Sequence, residues 1–181
     1  MSRGLDRDVA TAAAMREEFD RSFAVAPEVA PVVFESFLAV RAGGDPYVIR
    51  LSDITSLHRD RKVVPFVNSG SQLLGIMAFR GAMAPVYDLR ALLGYPGGPT
   101  PRWLVLAGMP SPVGLAFDLC EGHLRVAQDS VSRPDVKESA RRQHVEGVVH
   151  GADAARPIIR IASMLEAIAR RAPQDSPRKE R

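Results

Sequence analysis

Cysteine is nearly absent. Cys120 stands alone in 181 residues, so no internal disulfide can form, and a reducing compartment fits that usage. No apolar run approaches the roughly 18 residues that a membrane-spanning helix needs. The N-terminus also lacks the apolar segment of a signal peptide, so a cytoplasmic protein without direct membrane insertion is expected. Aromatic residues make up only 6%, and most lie within apolar runs. Nucleic-acid-binding small barrels need surface aromatics interleaved with Lys and Arg, so nucleic acid is not an expected partner. The pI of 9.4 does not restore that reading, because residues 170–181 hold five basic and two acidic residues, matching the net charge of +3 for the whole chain.

Catalytic and metal-binding patterns are missing as well. His58, His123, His144 and His150 have no HxxxH or HxxH spacing, and Cys120 offers no second thiolate, so no metal is expected. Arg41-Ala42-Gly43-Gly44 lacks the lysine and the following helix of a phosphate loop. Asp88 and Asp118 could be drawn as a catalytic pair. However, Asp88 precedes a short helical turn and reads as its cap, and Asp118 reads as a partner for an arginine. No catalytic residue, no cofactor and no enzyme activity are therefore expected.

What is present is a series of short apolar runs punctuated by 14 Gly and 14 Pro. Hydrophobic content of 46% supports a folded core. Residues 1–32 form an N-terminal extension. Ala12, Met15, Phe19 and Phe23 share one face of an amphipathic helix, followed by an Ala/Pro linker over residues 24–32. That helix suits either packing on its own barrel or a partner. A domain spans 33–169, and 170–181 is a basic, solvated tail.

Within the domain, strands are predicted at Phe34–Arg41, Tyr47–Leu51, Val63–Phe66, Leu73–Phe79, Ala82–Tyr87, Trp103–Ala107, Val113–Leu119, Gly122–Ala127, Val145–His150 and Pro157–Ile161. Ser52 is expected to cap a turn carrying Ile54 and Leu57. The loop at residues 95–101 is expected to join two halves, and residues 128–143 to form a long polar loop. Ile161, Met164, Leu165 and Ile168 mark one face of a C-terminal helix that Pro173 stops.

The stretch from Leu73 to Gly94 is the most informative. Gly75 suggests a bulge or close backbone approach, and Gly81 a tight turn. Pro85 places its strand at an edge or a beginning, and Gly94 ends the turn opened by Asp88. Arg80 is a permanent cation between two apolar strands. A buried Arg80 would need a carboxylate, with Asp88 or Asp118 as candidates.

Phe79-Arg80-Gly81 followed by Pro85-Val86-Tyr87-Asp88-Leu89-Arg90 resembles the central segment of the CheW-like domain family. The resemblance continues in order through the FLAVRAGG-PYVI hairpin, the Leu51–Leu57 segment, Val113–Asp118 and Val145–Val148. Two positions depart from the family pattern: Ala78 replaces an Asn, and Ile159-Arg160-Ile161 replaces a Leu-Asp pair.

The resemblance implies an all-β fold of two small five-stranded SH3-like barrels with short helices, an N-terminal helix and a C-terminal helix. It implies a non-catalytic adaptor, coupling the cytoplasmic hairpin of chemoreceptors to the regulatory domain of a CheA-type histidine kinase in arrays at the inner face of the membrane. The pathway so served can be flagellar, or drive pili, gliding or another output. Arg80, Gly75 and Gly114 would belong to the receptor groove, and Ile54 and Leu57 to the kinase-binding face. At the two glycines a local bulge is the alternative, and at Ile54 and Leu57 ordinary core.

Overall fold

The computed structural model describes residues 32–66, 72–132, 143–151 and 154–171, without the side chain of Arg171. The expected N-terminal helix and linker, the Asn68–Ser71 loop, much of the 128–143 segment, Pro173 and the tail lie outside the described residues.

Among the described residues, eleven strands form two sheets. β1 (Phe34–Ala42) and β2 (Asp45–Arg50) make the first hairpin, and a 3-10 turn at Leu51–Asp53 follows. β3 (Ser56–Arg59), β4 (Leu73–Phe79), β5 (Ala82–Asp88), the one-turn helix α1 (Leu89–Leu92), β6 (Trp103–Ala107) and β7 (Val113–Phe117) come next. β8 (Leu119–Ala127), β9 (Val131–Ser132), β10 (Val145–His150), β11 (Ala155–Ile159) and helix α2 (Ile161–Arg171) follow in the described residues.

The first sheet runs β8-β1-β2-β11-β10-β9 and the second β3-β6-β7-β5-β4. The all-β expectation in two groups of strands holds, but the expected Val63–Phe66 strand forms only the Val64–Ile76 bridge and β3 takes its place in the second group, while the two-residue β9 is added to the first. The expected division at residues 95–101 does not hold. That loop lies inside the second sheet, whose five strands are inserted between β2 and β8 of the first. The chain passes between sheets at Ile54–Thr55 and again at Asp118. A parallel β2–β11 pair, Val48 beside Ile158 and Ile49 beside Ile159, closes the first sheet around the insertion.

The unbroken apolar strands have a direct explanation. Along β6, Val105 and Ala107 enter a core shared by both sheets, while Leu104 and Leu106 enter a core belonging to the second sheet. β7 divides the same way, Leu115 and Phe117 to the shared core and Ala116 to the local one. Both faces are covered, so polar alternation disappears. Helix α2 seals the shared core with Ile161, Met164 and Ile168. A third cluster, Phe37, Val48, Val149 and Ile158, fills the first sheet.

Pro85 sits within an interior strand, and the ladder accommodates it. Ile76, opposite Pro85, spends both backbone groups on Val64 at 2.8 and 2.9 Å. Pairing of β5 with β7 begins only at Val86. The missing N–H of Pro85 therefore falls where no partner strand requires it.

Candidate functional site: the junction between the sheets

Asp88 ends β5 and caps α1, its Oδ1 accepting the Arg90 N–H at 2.9 Å. The Arg90 guanidinium folds back onto the same carboxylate, Nε to Oδ1 at 3.1 Å and Nη2 to Oδ2 at 2.8 Å. Its remaining Nη1 lies 3.1 Å from Asp118 Oδ1. Arg90 is only 4% exposed and Asp88 5%. The hydrogen bond to Asp88 raises the Arg90 pKa against the opposing effect of burial.

Asp118 occupies the crossing from β7 to β8. Its Oδ2 accepts the Gly43 N–H at 2.8 Å, and its own N–H donates to the Arg41 carbonyl at 3.1 Å. One arginine and two carboxylates thus tie α1, the β7–β8 crossing and the β1–β2 turn together. This corrects the expectation for Arg80: the guanidinium on Asp88 and Asp118 belongs to Arg90.

A cavity of about 470 Å³ opens over this junction. The Gly43-Gly44 turn, Arg90, Asp118 and the loop from Tyr95 to Thr100 line it, with Arg102 at its border. Tyr95 anchors that Pro/Gly-rich loop. Its hydroxyl donates to Asp45 Oδ2 and lies 2.6 Å from the Tyr47 hydroxyl. Burial, then the bonds to Asp45 and Tyr47, push the Tyr95 pKa far above the ordinary phenol value. A Cβ at Gly43 would stand 2.4 Å from the Tyr95 ring, so this seat exists only because the turn carries glycine.

Arg80 stands elsewhere. Phe79 faces Ala82 across a two-residue loop with φ of 48° at Arg80 and 83° at Gly81. Two positive φ values in a two-residue loop are the type I′ geometry. Arg80 is exposed at the tip, its guanidinium 5.2 Å over the Phe79 ring. Its charge stays in water, so it needs no buried carboxylate.

Gly75 and Gly114 flank one residue: Val86 faces Gly75 on β4 and Gly114 on β7. Both glycines are buried. Gly75 sits at a register shift, with φ of 149°, and a Cβ there would meet the Val64 carbonyl oxygen at 2.1 Å. At Gly114 a Cβ would stand 3.0 Å from Val86 Cγ2. The structure thus brings these two together and leaves Arg80 at the far end of β4.

Ser52 does not cap as expected: no side chain caps the 3-10 turn, and Ser52 Oγ donates to Asp53 at 3.1 Å instead. Ile54 is extended and half-buried against the shared core. Thr55 then donates to the Leu106 carbonyl at 2.7 Å and starts β3, which places Leu57 on an edge strand rather than a turn. Leu57 is 38% exposed.

Of the two departures, Ala78 is exposed on β4 opposite Met83. Arg160 donates its N–H to the His144 carbonyl at 2.8 Å, and its own carbonyl accepts Ser163 Oγ at 3.0 Å. Buried His144 and Ser163 meet at 2.9 Å, which fastens the start of α2 to the approach to β10.

Sequence reasoning missed Arg90, Tyr95 and two ionic clusters: Arg50 between Glu35 and Glu146, and Glu121 between Arg41 and Arg156. The Asp88-Leu89-Arg90 motif contained Arg90, but a spacing of two does not make neighbours on a helix surface. Among the described residues no cluster of His, Cys, Asp or Glu could hold a metal. Burial pushes the Cys120 thiol above its ordinary pKa, which makes it a poor nucleophile. Among the described residues no helix is long and apolar enough to cross a membrane.

Comparison with known proteins agrees with this architecture. The model of the CheW-like domain matches residues 36–169. A probable chemotaxis protein CheW from Rhizobium etli and a chemotaxis protein CheW from Rhizobium meliloti are each 25% identical over 116 residues, covering 62% of this chain and 75% of theirs. The crystal structure of the scaffolding protein TtCheW from Thermoanaerobacter tengcongensis superposes with a TM-score of 0.64 at 18% identity, over 70% of this chain and 89% of that one.

Proposed function

The chain belongs to the CheW-like domain family, and from that premise we propose that it is a non-catalytic adaptor of a chemosensory array. It joins the regulatory domain of a CheA-type histidine kinase to the cytoplasmic hairpin of chemoreceptors. The observation that carries the proposal is the nested pair of sheets around one shared core, the same fold as a solved scaffolding protein. A nested fold holds two outward faces at a fixed separation, which is what a bridging protein needs.

The kinase meets β3, where Leu57 offers an exposed aliphatic anchor and Ile54 supports it from the core side. The receptor meets the face reached by Arg80, whose free guanidinium can fork onto a carboxylate or backbone carbonyls of a helix tip. Gly75 and Gly114 contribute from behind, by letting the strands of that face lie close. Apolar burial supplies most of the free energy, and Arg80 sets register.

The test is reconstitution. Receptor-containing membranes, a CheA-type kinase from the same cell and the purified chain are mixed. The chain is expected to co-sediment with both and to place autophosphorylation under receptor control. A folded chain that leaves kinase activity independent of receptor would contradict the proposal. The kinase that responds also identifies the output, whether flagella, pili, gliding or another.

A further inference from the structure

The positive charge of this chain is not confined to its C-terminal tail. Residues 56–117, the whole second sheet with its connections, carry six basic residues and only two acidic ones, Asp60 and Asp88. Asp88 is consumed by Arg90 inside the junction. The outward surface is therefore cationic, and its charges gather at one end. Arg59 closes β3 opposite Trp103, the first residue of β6, and Arg61, Lys62 and Arg102 stand beside them. Arg102 is aligned by Asp60 through two bonds, Nε to Oδ1 at 2.7 Å and Nη2 to Oδ2 at 2.8 Å.

The same end holds a cavity of about 460 Å³. The bridge from Val64 to Ile76 holds the segment after β3 against β4, and residues 100–102 form the other wall. The floor is apolar: Val63, Leu74, Leu104 and Ala116. The rim is cationic: Arg61, Lys62 and Arg102. An apolar floor beneath three cations is complementary to one kind of ligand.

We propose that this cavity docks an acidic, apolar peptide segment of a protein partner, with an aliphatic side chain on Leu74, Leu104 and Ala116 and flanking carboxylates on Arg61, Lys62 and Arg102. Phosphates of a nucleic acid or a lipid headgroup would satisfy the rim and leave the apolar floor unused; a peptide such as Glu-Leu-Leu-Glu uses both. Asp60 occupies the Nε–Nη2 edge of Arg102 and holds the guanidinium in place, which leaves Nη1 to receive a carboxylate with little reordering. The site does not depend on the adaptor reading.

The test uses the full chain and a fluorescein-labelled peptide, Glu-Glu-Leu-Leu-Glu-Glu, read by anisotropy. Saturable binding is expected. It should weaken at least about tenfold in the Arg61→Glu/Lys62→Glu variant, and by a similar factor when the two leucines of the peptide are replaced by serine. Arg125→Glu, a charge reversal on β8 of the first sheet and outside this lining, should leave it unchanged. Circular dichroism checks that each variant is folded, and the serine peptide tests the floor without altering the protein. The proposal is overturned by absence of binding, or by binding that Arg125→Glu weakens equally. It is also overturned if the serine peptide, a random oligonucleotide or anionic phosphatidylserine vesicles compete as well as the leucine peptide, because the surface would then be a diffuse electrostatic one.

Discussion

Arg90 and Asp118 face each other across the point where the chain leaves the second sheet for the first, with Nη1 and Oδ1 at 3.1 Å. The other side of Arg90 is held by Asp88 through two bonds. A buried guanidinium that loses its main partner keeps the desolvation cost without the compensation, so Asp88→Ala should destabilise the fold by about 3–5 kcal/mol. The same change removes the cap of α1. Urea unfolding measures the loss, and the double variant Asp88→Leu/Arg90→Met should recover part of it. Additive losses in the double variant would contradict the pairing.

Arg80 gives the opposite prediction. It is exposed and holds a positive φ in a turn that favours Asn or Gly. Arg80→Asn should therefore raise stability by up to about 1 kcal/mol, and Arg80→Glu should leave it within about 0.5 kcal/mol of the parent. Thermal melting separates these. An unfolded Arg80→Glu protein would mean that Arg80 supports the fold after all.

At Gly75 the expected effect is local. Alanine there would drive a methyl group into the Val64 carbonyl, in a backbone conformation that side chains rarely adopt. Gly75→Ala should cost roughly 2 kcal/mol or more and open the Val64–Ile76 bridge first. Faster amide exchange at Val64 and Ile76, ahead of residues in β7, is the signature. Unchanged protection would show that the segment relaxes freely.

His58 links stability to pH. Burial, assisted by Arg61, lowers its pKa below the usual histidine value of 6.5. The neutral ring also lies 2.9 Å from Ser56 Oγ and edge-on to Phe79. The folded state binds this proton less readily than the unfolded one. Its contribution is therefore present above pH 6.5 and lost as pH falls through the depressed folded value. Between pH 7.5 and pH 5 the parent should lose more melting temperature than His58→Gln. Equal losses would show that His58 is uncoupled from folding.

The strands were legible where both faces are covered. Trp103–Ala107 reads as an uncharged run because its residues alternate between two cores, and the same holds for Val113–Phe117. β3 was not legible, because Ser56-Leu57-His58-Arg59 has no apolar run and becomes a strand only through β6. Nesting was invisible too. The β2–β11 pair joins residues more than a hundred positions apart, and local patterns contain nothing about such pairing. Arg80 and Arg90 were exchanged for a related reason. Apolar neighbours on both sides suggested burial for Arg80, although Gly81 already marked a tight turn that puts its neighbour in water. Nothing local marks Arg90 as buried, because its second carboxylate, Asp118, arrives from a strand crossing far along the chain. The cationic end of the second sheet was hidden by acidic residues elsewhere in the chain that cancel it in the total.

The most direct test of the adaptor account is calorimetry of the parent chain, Leu57→Glu and Arg80→Glu against two partners from the same cell: a CheA-type kinase regulatory domain and a chemoreceptor signalling hairpin. The account predicts that the parent binds both, that Leu57→Glu loses the kinase and keeps the receptor, and that Arg80→Glu does the reverse. A folded parent that binds neither partner, or variants that weaken both contacts equally, would contradict it.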